Sequence, residues 1–124
     1  MKKPTVLIVD PDEHSRLLLE ETFQMMSQYS EKYQILSTSS EKEAINFCHE
    51  YNIGLVLTEI KLKDMDGWQL TQKINELYPY IPIIVQTAFI TDDIAQRVWK
   101  SGADSYLVKP VDIYEMQKKF QTVL

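Results

Sequence analysis

A chain of 124 residues with 44% hydrophobic and 25% charged side chains has room for one hydrophobic core, and no shift in composition marks a linker. One domain spanning residues 1–124 is expected. The net charge of −5, with thirteen Lys and Arg scattered along the chain, argues against a nucleic-acid partner, because phosphate binding needs clustered basic residues.

The single cysteine, Cys48, excludes an internal disulfide. No apolar leader follows Met1-Lys2-Lys3 and no long apolar run occurs, so there is no sign of secretion or of a membrane span. A cytoplasmic location is the default expectation.

Thr5-Val6-Leu7-Ile8-Val9 is an unbroken run rich in β-branched residues, as a strand covered on both faces must be. Asp12 can cap the helix that follows, in which Leu19, Phe23 and Met26 recur at i, i+4 and i+7, and which is expected to end near Tyr29. Tyr33 to Thr38 is a weaker strand suited to a sheet edge. Ser40 before Glu43 resembles a capping box, opening a helix with Ala44, Phe47, Cys48 and Tyr51 inward and Cys48 as a core thiol.

Gly54 to Lys61 then reads as a fully buried strand that ends on an acidic residue, Glu59. The turn-rich Lys63-Asp64-Met65-Asp66-Gly67 follows, with Asp66 able to cap a helix whose buried side carries Leu70, Ile74 and Leu77, and Pro79 and Pro82 stop it. Ile83 to Thr87 is a fourth strand. Thr91-Asp92-Asp93 opens a fourth helix containing Ile94, Val98 and Trp99, closed by Gly102. Tyr106-Leu107-Val108 is a brief fifth strand, Lys109-Pro110 a turn, and Asp112 begins a last helix with Ile113, Met116 and Phe120 inward. Five alternations of strand and helix predict a (βα)5 chain, an α/β fold of the flavodoxin-like type with a doubly wound five-stranded parallel sheet in the order 2-1-3-4-5.

In that layout Asp10, Glu59, Thr87 and Lys109 fall at the carboxyl ends of four different strands, where open α/β sheets place their chemistry. Each alone reads as a solvated strand-end residue. Together they point to one crevice holding two carboxylates, a hydroxyl and an ammonium.

The ordered set Leu7-Ile8-Val9-Asp10, Leu55 to Ile60, Met65-Asp66-Gly67, Thr87-Ala88 and Gly102 through Pro110 resembles the CheY-like response-regulator receiver domain of two-component signalling. In that family a strand-three aspartate accepts a phosphoryl group from a histidine kinase, and two acidic residues after strand one hold Mg²⁺. A strand-four hydroxyl and a strand-five lysine contact the phosphoryl oxygens, and a strand-five aromatic turns inward when the site is occupied. The resemblance assigns these last roles to Thr87, Lys109 and Tyr106, and the first acidic position to Asp10.

Two positions depart from the pattern. Glu59 stands where the phosphoacceptor aspartate belongs, which moves the carboxylate about 1.5 Å along the side chain. In-line phosphoryl transfer is sensitive to displacements of that order. Pro11 stands where the second acidic residue belongs and offers no side-chain oxygen, so Mg²⁺ binding through Asp10 and Glu59 is expected to be weakened or lost. Asp12 or Glu13 could substitute as ligand, or Asp12 could cap the first helix with Glu13 complementing its dipole. No cofactor is expected, with Mg²⁺ the one candidate, and no catalytic residue is assigned.

The first hypothesis is therefore a non-enzymatic receiver that signals by binding, with Glu59 paired to Lys109 as a partial mimic of a phosphorylated aspartate and Tyr106 biased inward. The second is a receiver still phosphorylated in a Mg²⁺-dependent way, on Glu59 or Asp10. The third, a flavodoxin-like small-ligand binder, lacks a Gly-rich loop after strand one, where Asp10-Pro11-Asp12-Glu13 would repel a phosphate.

Expected partners are a histidine kinase or a downstream signalling protein. Receivers commonly dimerise or dock through the fourth helix, fifth strand and fifth helix, which makes Trp99 and Tyr106 the expected interface residues, though Trp99 could equally pack beside Val98. His14 and His49 read as surface residues, and Trp68 as a cover for the start of the third helix. The composition fits both a stand-alone regulator and a piece of a longer kinase or regulator.

Overall fold

Two runs with almost no polar residue, β1 (Thr5–Val9) and β3 (Ile53–Glu59), lie side by side at the middle of the sheet, where both faces are covered by helices. The computed structural model describes residues 3–63, 65–88 and 90–124, so Met1, Lys2 and the Asp64 part of the expected turn lie outside the described residues. Around the central pair come β2 (Gln34–Thr38), β4 (Ile83–Thr87) and β5 (Ser105–Val108), all parallel, in the order β2-β1-β3-β4-β5. The helices are α1 (Glu13–Gln24), α2 (Ser27–Ser30), α3 (Glu41–Glu50), α4 (Gly67–Leu77), α5 (Asp92–Lys100) and α6 (Ile113–Val123).

Because successive strand residues point to opposite faces, the apolar runs feed two cores. Leu7, Val9, Val56, Ile83 and Val85 pack with Ala44, Cys48, Leu70, Ile74 and Val98 on one face. Val6, Ile8, Leu55, Leu57, Ile84 and Leu107 pack with Leu19, Phe23, Met116 and Phe120 on the other. Phe120 is fully buried, edge-on to Tyr29 at 5.1 Å between ring centroids, and burying a side chain of that size contributes about 1.5–3 kcal/mol. Cys48 is the core thiol its spacing suggested, and burial pushes it up to about 11. No described helix is long and apolar enough to cross a membrane.

Four of the expected caps form. Asp12, Ser40, Asp66 and Thr91 each accept a hydrogen bond from the backbone N–H three residues on, and Asp66 with Gln69 completes a reciprocal capping box. Gly102 closes α5 with φ +92°, the left-handed conformation that lets Ala103 N–H reach the carbonyl of Val98.

Three details differ from the sequence reading. The first helix stops at Gln24 and the chain restarts as α2, because Met26 leaves the helical region (φ −94°, ψ 77°). In an unbroken helix Tyr29 would sit about 80° off the stripe of Leu19, Phe23 and Met26. The break turns it into the core against Phe120. Tyr51 and Leu77, expected inward, are 41% and 48% exposed. Tyr51 is the extended C-cap of α3, swung out of helical register onto the edge of Phe47, and Leu77 is the last residue of α4.

Gly67 opens α4 against the back of β3, its N–H donating to the carbonyl of Ile60. A Cβ there would meet the Glu59 carbonyl and come within 2.7 Å of Ile60 Cα, both backbone and unable to move aside alone. Gly67→Ala should therefore destabilise the fold by about 1–3 kcal/mol. The check is a lower urea midpoint with an unchanged slope; a midpoint equal to the parent's would show that the loop relaxes freely.

Candidate functional site

The end of β1 delivers Asp10, whose backbone N–H donates to Thr38 O at 3.0 Å, so the carboxylate is fixed as the chain leaves the sheet. The register pairs Val9 with Thr58 and Glu59 with Gln86, which lines up Asp10, Glu59 and Gln86 in one row across three strands. β5 ends at Val108, and the next residue, Lys109, is tied by its N–H to Thr87 O at 2.7 Å before a cis peptide to Pro110. Four strand ends therefore converge as the alternation of elements predicts. Thr87 is buried at the end of β4.

At the centre stands the Lys109 ammonium. Its Nζ lies 2.7 Å from Asp10 Oδ2 and 2.9 Å from Glu59 Oε2, with Asp10 only 1% exposed and Glu59 13%. Asp10 is densely satisfied: Oδ2 also accepts from Ser15 Oγ at 2.7 Å and Gln86 Nε2 at 3.4 Å, and Oδ1 accepts from the Asp12 N–H at 2.9 Å. Arg16 adds a donor to the Asp10 main-chain carbonyl at 2.7 Å. Glu59 has fewer partners: its Oε2 forms an ion pair with the ammonium without the angles of a directed hydrogen bond, and its carboxylate accepts from the Lys61 backbone.

The electrostatics follow that asymmetry. Burial pushes the Glu59 carboxyl above its ordinary value, Lys109 offsets only part of the rise, and the charge of Asp10 adds to it. Burial alone would lower the Lys109 ammonium, but its close contacts with Asp10 and Glu59 and their charges outweigh it and hold the group above its ordinary value. Lys109 thus stays a cation up to and beyond its unfolded value near 10.5, and the stability it contributes is lost only as pH rises through the higher folded value.

Several sequence candidates take modest places. The carboxylate of Asp12, open in the sequence to a place in the acidic pocket with Asp10 or to a capping role, caps α1, accepting from Ser15 N–H at 2.8 Å, and its side chain is exposed. His14 is exposed at the rim of a groove of about 340 Å³ between α1 and the Lys109-Pro110-Val111 segment. Tyr106 is half-buried against the core, with the Lys119 ammonium 4.9 Å from its ring centroid. Trp68 is buried at the start of α4 with the Arg97 guanidinium 5.1 Å from its ring, and Trp99 is 60% exposed. His49 is exposed and bonded to the Tyr78 hydroxyl.

Sequence reasoning passed over Ser15, Arg16 and Gln86. A visible signal existed for Gln86, the one amide in an otherwise apolar strand, now fully buried.

These residues do not fit a Mg²⁺ site. Mg²⁺ demands near-octahedral oxygen ligands, yet Pro11 has no oxygen to offer, Asp12 faces the helix, and an ammonium stands between the two remaining carboxylates. Among the described residues no group of three or more His, Cys, Asp or Glu side chains gathers closely enough to hold a metal ion.

Residues 6–121 match the family model of the response regulator receiver domain. Over 124 residues the chain is 33% identical to the response regulator protein PilR of Pseudomonas aeruginosa, covering all of this chain and 27% of that protein. Over 108 residues it is 32% identical to the sensor histidine kinase RcsC of Escherichia coli, covering 87% of this chain and 11% of that protein. A crystal structure of a two-component response regulator from Clostridium difficile superposes with a TM-score of 0.85 at 26% identity, covering 98% of this chain and 95% of that one. The chain thus spans about a quarter or less of these two curated relatives. With the strand order, the strand-end residues and a family match over nearly its whole length, the chain belongs to the response regulator receiver domains.

Proposed function

We propose that this receiver is a phosphorylation-independent binding module of a two-component phosphorelay, cytoplasmic and not itself an enzyme, in which Glu59 stands in part for a phosphorylated aspartate. The observation that carries this reading is the Lys109 ammonium, bridged to Asp10 and Glu59 at 2.7 and 2.9 Å. The longer side chain brings its charge to the strand-five lysine without any added group. It supplies one negative charge where a phosphate would bring about −1.5 to −2, so the mimicry is partial. Lys109 follows directly on β5, the strand that carries Tyr106, so the ion pair and the aromatic share one short rigid element.

The partners on this reading are a histidine kinase or a downstream signalling protein, and a second copy of the chain bound through α5, β5 and α6. Trp99 on α5 and Val108 on β5, 60% and 41% exposed, are the apolar anchors of that face, and Tyr106 borders it. Nucleic acid and membrane are not among the partners, in keeping with the net charge of −5.

The first test is a titration with Mg²⁺, with and without beryllofluoride, followed by backbone NMR. The parent should remain silent, and the paired exchange Pro11→Asp, Glu59→Asp should respond at Thr87, Tyr106 and Lys109. A parent that itself responds at those positions would overturn the proposal and make this a Mg²⁺-dependent phosphoacceptor.

Replacing the bridging cation probes the same ion pair through stability. Lys109→Met leaves Asp10 and Glu59 without their counter-ion in a nearly closed pocket, and after discounting for the partial exposure of Lys109 the loss should be about 2 kcal/mol. Chemical denaturation reads it directly, and a parent-like stability would mean that the bridge holds nothing together.

Trp99→Ala should leave the denaturation midpoint within about 0.5 kcal/mol of the parent, because the side chain is mostly in solvent. It should also weaken self-association or partner capture at least tenfold, as loss of an aromatic anchor does. Sedimentation equilibrium of parent and variant side by side would measure it; equal association constants would remove Trp99 from the interface.

A further inference from the structure

The sheet has a second end, remote from Lys109. There α3 and α4 finish at Glu50 and Leu77, and the unpaired carbonyls of a last helical turn carry partial negative charge. Basic side chains commonly offset that charge, but α4 has none in its last turn and α3 has only His49. The sequence holds no Lys or Arg at all from 43 to 60 or from 74 to 96, whereas Glu50 and Glu76 are exposed close to these helix ends.

Between the helix ends three rings form an open corner. The Tyr78 hydroxyl is bonded to Nδ1 of His49, and the two rings stand 5.5 Å apart at 68°. Tyr80 stands 6.3 Å from Tyr78 at 84°, so the two tyrosines make nearly perpendicular walls. Tyr80 is 75% exposed, yet it is not on a loose segment. Ile81, only 4% exposed, anchors the next residue in the core, its N–H returns to Tyr78 O at 3.1 Å, and Pro79 and Pro82 fix the backbone on either side.

Exposed rings alone would suit any apolar partner. Here the rings stand nearly at right angles beside two helix ends, on stretches of chain that carry the exposed Glu50 and Glu76 and no Lys or Arg. A guanidinium placed within about 6 Å of a tyrosine centroid is attracted by the ring face, and arginine stacks on such faces better than lysine.

We propose that this corner is a docking site for an arginine side chain on a basic segment of a partner protein, with Tyr78 and Tyr80 as its walls and Glu50 and Glu76 supplying the opposing charge. The site makes a contact separate from the Lys109 pocket, and it stands whether or not that pocket takes a phosphoryl group.

The test is an NMR titration of the full chain with a short arginine-bearing peptide that has no acidic residue, beside the same peptide with glutamine for arginine and beside tetramethylammonium chloride. Shifts should concentrate at His49, Leu77, Tyr78 and Tyr80 and weaken with added salt. Tyr80→Ala should lower the affinity about fivefold and Glu76→Gln about twofold, at unchanged urea midpoints. Shifts centred on the acidic helix starts at Asp12-Glu13 or Asp92-Asp93, with the corner unmoved, would overturn the proposal. So would parent-like affinity in Tyr80→Ala, equal binding of the glutamine peptide, or tetramethylammonium saturating the corner while the peptide fails to compete.

Discussion

An ammonium held between two nearly buried carboxylates sets the geometry of the carboxyl end of this sheet. Two like charges in one crevice of low polarity would repel each other and would each lose their hydration, so the pair exists only because Lys109 reaches both. The arrangement is unequal. Asp10 is wrapped by a hydroxyl, an amide, a backbone N–H and the ammonium, while Glu59 has the ammonium and the Lys61 backbone. With fewer donors to offset its burial, the Glu59 carboxyl is raised above its ordinary value.

The fold serves this contact by rigid means. Lys109 cannot drift, since its N–H is bonded to the end of β4, and the main chain at Asp10 is held by Thr38 on one side and Arg16 on the other. Behind Glu59 the helix start at Gly67 lies so close that even a methyl group would collide with the strand backbone. The pocket is therefore built on strand ends and a helix start, which hold its side chains by backbone pairing and not through a long loop.

Much of this was legible in the sequence because strands covered on both faces must be apolar throughout, and such runs are hard to mistake. Thr5–Val9, Ile83–Thr87 and the Glu59 strand fall where the apolar runs place them, in the expected order. The break at Met26 was not legible, since the apolar stripe runs straight through it and only the demand of Phe120 for Tyr29 interrupts the helix. At the site, Asp10, Glu59 and Lys109 stood out as charged residues closing apolar strands. Ser15 did not, because it is an ordinary first-turn residue until tertiary contact brings it to Asp10, while the amide of Gln86 in a buried strand was a signal passed over. Asp12 could be read as pocket or cap, and the local hydrogen bond to Ser15 won. The meeting of His49 with Tyr78 joins two helices far apart in sequence, and no periodicity announces it.

Pro11 and Glu59 bear together on the charge balance of this crevice. The pattern that the chain resembles places three carboxylates around one lysine, an excess of about two negative charges that a divalent cation neutralises. With Pro11 offering no carboxylate, the count here is two carboxylates against one ammonium, and three neutral donors, the Asp12 N–H, Ser15 Oγ and Gln86 Nε2, stabilise the charge of Asp10. The length of the Glu59 side chain lets its carboxylate reach the ammonium at 2.9 Å. Together Asp10, Glu59 and Lys109 form a pocket whose charges are met largely from within the chain, with one excess negative charge spread over the donors around Asp10.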